Sequence, residues 1–311
     1  MEMKMKYLFN ICLLAGLFFT ACKKELTTDA PTAGINLVNA RSTIGDTLVF
    51  KLGDTCRFAL DGYADNIAFW AGTLGNKYEY RDRAMALGVP TLSFTSTAQF
   101  GVQTNTLQVL ATNKLPSRDS ATVVNAAWTN ITARTPLATS ATAVNTGNVN
   151  LSDLVSGVND SLFIAFKYSG VTGSTQRTWT ITNYTVNNVL SDYSYNLAAL
   201  ANDNAYWTRY GNVWTPASAR WVPTTTALTI VGGAATAPTN TSWIVSKALY
   251  VGRVSPDIST ATVKNITASA TTSYAYKYLA AGKYRATFVS YNVNPNESKT
   301  AVKEFNIKVI Q

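Results

Sequence analysis

CRFALDGYADNIAFWAGTLGNKYEYRDR, residues 56–83, is the stretch that decides the fold. Cys56, Phe58 and Leu60 alternate with Arg57 and Ala59, which puts three apolar side chains on one face of a strand with period two. Asp61-Gly62 supplies a turn, residues 67–70 give a further strand, and Gly72 with Gly75-Asn76 turns into a strand over 77–81. With residues 47–51 (TLVFK) in front, four short strands precede position 84. Each needs a facing sheet to cover its apolar side.

The complement lies at the far end of the chain. Tyr274, Tyr276 and Tyr278 alternate with Ala275 and Lys277, and Ala281-Gly282 turns into residues 283–292, KYRATFVSYN. Phe305, Ile307 and Val309 then face one way, and Glu304, Asn306 and Lys308 the other. Both groups are too small to form a sandwich alone, so together they make one, of about seven strands. The expectation is an all-β chain of two β-sandwich domains. A discontinuous sandwich is formed by residues 46–90 and 258–311, and a second sandwich, residues 91–257, is inserted in it. Within the insert, residues 107–111, 161–168, 176–187, 227–231 and 243–251 read as strands. In 176–187, Trp179 and Ile181 hold odd positions but Tyr184 and Val186 even ones, which predicts a bulge or break near Asn183.

Composition agrees with this reading. Of 311 residues 47% are apolar and only 14% charged, which suits about two domains of β-structure with polar loops rather than charged helices. Lys4 and Lys6 precede an apolar run over 7–19 that is short for a membrane span but fits a signal peptide. It ends in Phe19-Thr20-Ala21-Cys22, which resembles a bacterial lipoprotein signal. That resemblance implies removal of residues 1–21, a lipid on Cys22, and anchoring at the bacterial outer membrane, on the cell surface. Residues 22–45 read as a flexible tether. Cys56 is then left without a disulfide partner and reads as a small buried hydrophobe.

Loss of Lys4, Lys6 and Glu2 takes the 26 basic and 17 acidic residues to 24 and 16, a net charge of +8. The bases are scattered, against the clustered face that nucleic acid requires. They read as solvated strand faces, with attraction to acidic glycans or anionic surfaces as the sharper alternative.

Three resemblances refine the picture. Residues 276–294 (YKYLAAGKYRATFVSYNVN) and 302–309 (VKEFNIKV) are similar to the closing strands of polycystic-kidney-disease-type (PKD-type), Ig-like domains. Residues 61–83 look like the matching front half, and resemble the opening of a domain of unknown function in surface lipoproteins of Bacteroides-type bacteria. FIAFKYSG (163–170) followed by RTWTITNYTV (177–186) looks like the core hairpin of a galactose-binding-type jelly roll. What these imply is an Ig-like sandwich carrying an inserted jelly roll, on the cell surface, with outer-membrane transport proteins as neighbours.

No histidine is present, which excludes Ser-His-Asp and Cys-His catalysis and histidine-ligated zinc. No phosphate-binding loop or dinucleotide fingerprint occurs either. Glycoside hydrolysis needs only two carboxylic acids, but no glutamate lies between Arg83 and Pro256, and Asp119, Asp153, Asp160, Asp192 and Asp203 form no recognisable motif. Asp61, Asp65, Asp153 and Asp160 read as turn or cap residues, with calcium ligation as the alternative, and no cofactor is expected.

The functional candidate is aromatic. Tyr206, Trp207, Arg209, Tyr210, Trp214, Arg220 and Trp221 fall within residues 202–221, NDNAYWTRYGNVWTPASARW, where Gly211 and Pro216 break any helix. Indole faces stack on pyranose rings and neighbouring polar groups bond sugar hydroxyls, so the segment reads as a glycan platform. The competing reading buries these rings in the core, where Trp179 and Trp243 are also expected. The expected function is a non-enzymatic lipoprotein that binds glycan as an accessory of polysaccharide capture, and touches membrane only through its lipid. A structural, adhesive or pilin-like protein, able to exchange the strand over 303–309 between subunits, is the alternative. A glycoside hydrolase is the third reading.

Overall fold

Strands dominate the computed structural model, which describes residues 27–203, 206–216 and 219–311. The expected signal peptide, Cys22 and the first residues of the tether lie outside these. The protein is all-β with sandwich packing. It divides into two compact units: one joins the described residues up to Arg81 to Asp257–Gln311, and the other is Asp82–Pro256.

In the first unit a three-stranded sheet has the order Gly34–Leu37, Cys56–Asp61, Ser273–Tyr276. A six-stranded sheet has the order Ala261–Lys264, Asn66–Trp70, Gly282–Val293, Ser298–Ile310, Thr47–Lys51, Ser42–Ile44. Cys56, Phe58 and Leu60 are buried while Arg57 and Asp61 are exposed, as their alternation requires. Phe58 from the first sheet meets Phe288 from the second with ring centroids 4.8 Å apart and planes at 64°, and Phe69 also lies 4.8 Å from Phe288. Such tilted pairs add about 0.5–1.5 kcal/mol each beyond the burial of their area. Cys56 is 1% exposed, and burial pushes its thiol up to about 12, which keeps it neutral and inert.

The closing strand Ser298–Ile310 pairs antiparallel with Gly282–Val293 and, over Asn306–Ile310, parallel with Thr47–Lys51. The two chain-distant parts of the unit are thereby bonded through their backbones. Two expectations are corrected here. The tether is not featureless over its described part: Ile35 is buried in the strand Gly34–Leu37, which pairs with Cys56–Asp61. Residues 77–81 do not form a strand; Tyr78–Tyr80 is a 3-10 turn.

The second unit faces a sheet built on Val89–Gln99, Thr178–Val189 and Ala227–Ile230 with one built on Leu107–Thr112, Ser161–Gly170, Asn240–Val245 and Thr208–Gly211. Between them Phe94 and Phe166 meet edge to face at 5.2 Å. The anticipated change of phase is present: Asn183 has φ 51°, and the register of Thr178–Val189 against Val89–Gln99 shifts between Thr182 and Thr185. The expected hairpin between residues 163–170 and 177–186 does not form. Their strands belong to opposite sheets and meet through side chains, as in the 6.2 Å contact of Phe166 with Tyr184. Both strands are apolar enough to be central, and each takes its backbone partners from elsewhere in the chain.

Candidate functional site

The aromatic segment is pulled apart by a short strand. Thr208–Gly211 pairs with Asn240–Val245, and the alternation of side chains that follows separates neighbouring residues onto opposite faces. Trp207 and Trp221 turn inward and are 8% and 0% exposed, packed 6.4 and 6.2 Å from Phe166. The Trp221 indole N–H donates to the Ser242 carbonyl at 3.3 Å. Arg209 donates to the Trp221 carbonyl at 3.1 Å, so its guanidinium ties the segment together.

Tyr210 lies opposite Trp243 and packs against an apolar cluster that includes Leu110, Phe163 and Trp243, on the outer face of this sheet, where burial raises its hydroxyl pKa. Only Tyr206 and Trp214 stay exposed, with Lys247 5.2 Å above the first ring and Arg220 4.9 Å above the second. Two of the three indoles, Trp207 and Trp221, are thus core, as the competing reading of the segment has it, while Trp214 is exposed. Trp179 and Trp243 are each 6% exposed, buried as expected.

Four of the aspartates hold structure. Asp153 makes a two-pronged ion pair with Arg134 at 2.7 Å. Asp119 caps the helix Ser120–Asn125 by accepting from the Thr122 N–H and hydroxyl, which bring its carboxyl down to about 2. Asp160 accepts from the Ser156 and Gly157 N–H groups, and Asp65 from the Tyr63 hydroxyl. Among the described residues no three Cys, Asp or Glu side chains are grouped as a metal site would require.

A concavity lies in the first unit, on the outer face of its six-stranded sheet. Phe288, Ala286 and Tyr284 point into the core, so Lys283, Arg285 and Thr287 share the other face. On the neighbouring strand Ile307 and Val309 point inward, leaving Asn306 and Lys308 outward. The register places Lys283 directly opposite Lys308 and Arg285 directly opposite Asn306. A groove of about 530 Å³ runs over these residues and is closed on one side by Tyr78 and Glu79.

That wall is held firmly. Gly72 has φ 72° and sits so close to the sheet that a Cβ there would lie 2.4 Å from the Arg285 carbonyl oxygen. The Lys77 N–H donates to the Asp257 carboxylate at 2.8 Å, and the Tyr78 ring stands 5.5 Å from Trp70, edge to face, with the Arg81 guanidinium 4.2 Å from its centroid. Thr287, fully buried beneath, has a hydroxyl with no partner among the described residues. None of these groove residues was singled out in the sequence as a site, because they come from three distant segments and each resembles an ordinary solvated position. The outward alternation of Lys283, Arg285 and Lys308 was the available signal.

The model of a protein family described as Domain of unknown function (DUF5017) matches residues 21–206. No curated protein and no solved structure matches the chain.

Proposed function

The chain belongs to the DUF5017 family, and we propose that it is a non-enzymatic glycan-binding lipoprotein of the bacterial outer membrane, with the groove of its first unit as the ligand site. The observation that carries the reading is the groove itself. Its volume, about 530 Å³, falls in the range of about 300–1,000 Å³ usual for small-molecule sites. Its lining combines the half-buried ring of Tyr78 with the amide of Asn306 and the hydroxyl of Thr47. A saccharide needs that mixture of apolar ring surface and hydrogen-bonding groups. Only one carboxylate, Glu79, lines the groove, where a glycosidase would need two.

The lipoprotein address rests on the charged, apolar and Ala21-Cys22 pattern of the N-terminus. Finer fold names belong to the same proposal: an Ig-like, PKD-type sandwich as the first unit and a galactose-binding-type jelly roll as the second, with outer-membrane transport proteins as neighbours.

A glycan array probed with the wild-type protein and with a folded Tyr78→Ala variant tests the reading. Wild type is expected to retain one class of saccharide and the variant to lose it. No retention, or equal retention by the variant, contradicts the site.

A further inference from the structure

We infer that the groove selects saccharides carrying a negative charge, a carboxylate or sulfate ester on the sugar ring; this rests on the glycan reading above and specifies its ligand class. The argument starts from the ladder. Residues directly opposite in an antiparallel pair have Cβ atoms about 4.5–5.5 Å apart, and like charges so placed repel. Lys283 and Lys308 stand in that relation, and Arg285 lies two residues along on the same face. Three cations therefore occupy one corner of a sheet surface.

Their carboxylate partners are missing. Lys283, Arg285 and Lys308 line the groove, and Glu79 is the one acid in its lining. Among the described residues, the side chains of Lys283, Arg285 and Lys308 make no ion pair or hydrogen bond. Asp46, just before the strand Thr47–Lys51, accepts from the Asn306 amide at 2.6 Å. Glu304 shares the outer face but stands opposite Thr287, outside the lining.

An exposed lysine pair alone would be a solvated strand face. Here the pair sits inside a walled concavity, where solvent screens less and a bound anion relieves the repulsion. The planar guanidinium of Arg285 matches the two oxygens of a carboxylate or sulfate with parallel hydrogen bonds. A neutral sugar would leave all of these groups uncompensated, so charge is the feature the groove discriminates.

Calorimetric titration of the full chain with matched ligands tests this. Oligogalacturonate is compared with its methyl ester, which keeps the rings and removes the charge, and sulfated dextran oligosaccharide with unsulfated. The charged member of at least one pair is expected to bind at least about tenfold more tightly than its neutral counterpart, and the pair that responds identifies the group read. Arg285→Gln and Lys308→Gln, both at exposed positions and checked by circular dichroism, are each expected to weaken that binding, and added salt should weaken it in wild type. Equal affinity for charged and neutral members overturns the inference while leaving the glycan reading standing; no binding by any saccharide overturns both. Unchanged affinity in both variants, or competition by inorganic sulfate as potent as the oligosaccharide, also overturns it.

Discussion

Trp221 and Trp214 carry the same side chain, seven positions apart, and do opposite work. Trp221 is wholly buried and donates its N–H to Ser242, whereas Trp214 is 42% exposed and contacts the Arg220 guanidinium. Trp221→Ala removes a full core side chain and leaves a cavity, at an expected cost of about 3–5 kcal/mol. Trp214→Ala loses a surface cation–π contact, at an expected cost below about 1 kcal/mol. Urea unfolding of the two variants separates them, and equal losses would contradict the placement. The sequence shows that aromatic rings are dense in this segment, but density marks core and surface alike. What sorts them is the pairing of Thr208–Gly211 with a strand some thirty residues later, which no local pattern encodes.

At the scale of the element, the segment from Gly72 to Tyr80 forms the wall of the groove and depends on one glycine. Gly72→Val would force a side chain into the left-handed region and against the Arg285 backbone, with strain of order 1–3 kcal/mol. The expected outcome is a lower unfolding midpoint together with weaker saccharide binding, the circular dichroism spectrum staying that of a β-protein. A variant with wild-type affinity would show that the wall plays no part. The glycine turn was legible in the sequence. The 3-10 turn after it was not, because Tyr78 and Tyr80 imitate strand alternation, while the bond that fixes the backbone comes from Asp257, 180 residues away. The switch of phase at Asn183 could be read because a period of two tolerates no extra residue without a visible slip.

For the whole molecule, the recurrence of one strand texture at both ends announced a sandwich assembled from distant parts. Phe58, Phe288 and Phe305 meet in its core as their alternation required. The site was less legible for the same reason: Tyr78, Arg285 and Lys308 become neighbours only once those parts assemble, and separately each looks like a solvated position. The central claim, that this surface of the first unit binds acidic saccharide, is tested most directly by hydrogen–deuterium exchange on the full chain with and without oligogalacturonate. Protection is expected in peptides covering residues 77–79, 283–287 and 306–308. Protection confined to residues 206–221, or none anywhere under saturating ligand, would contradict the account.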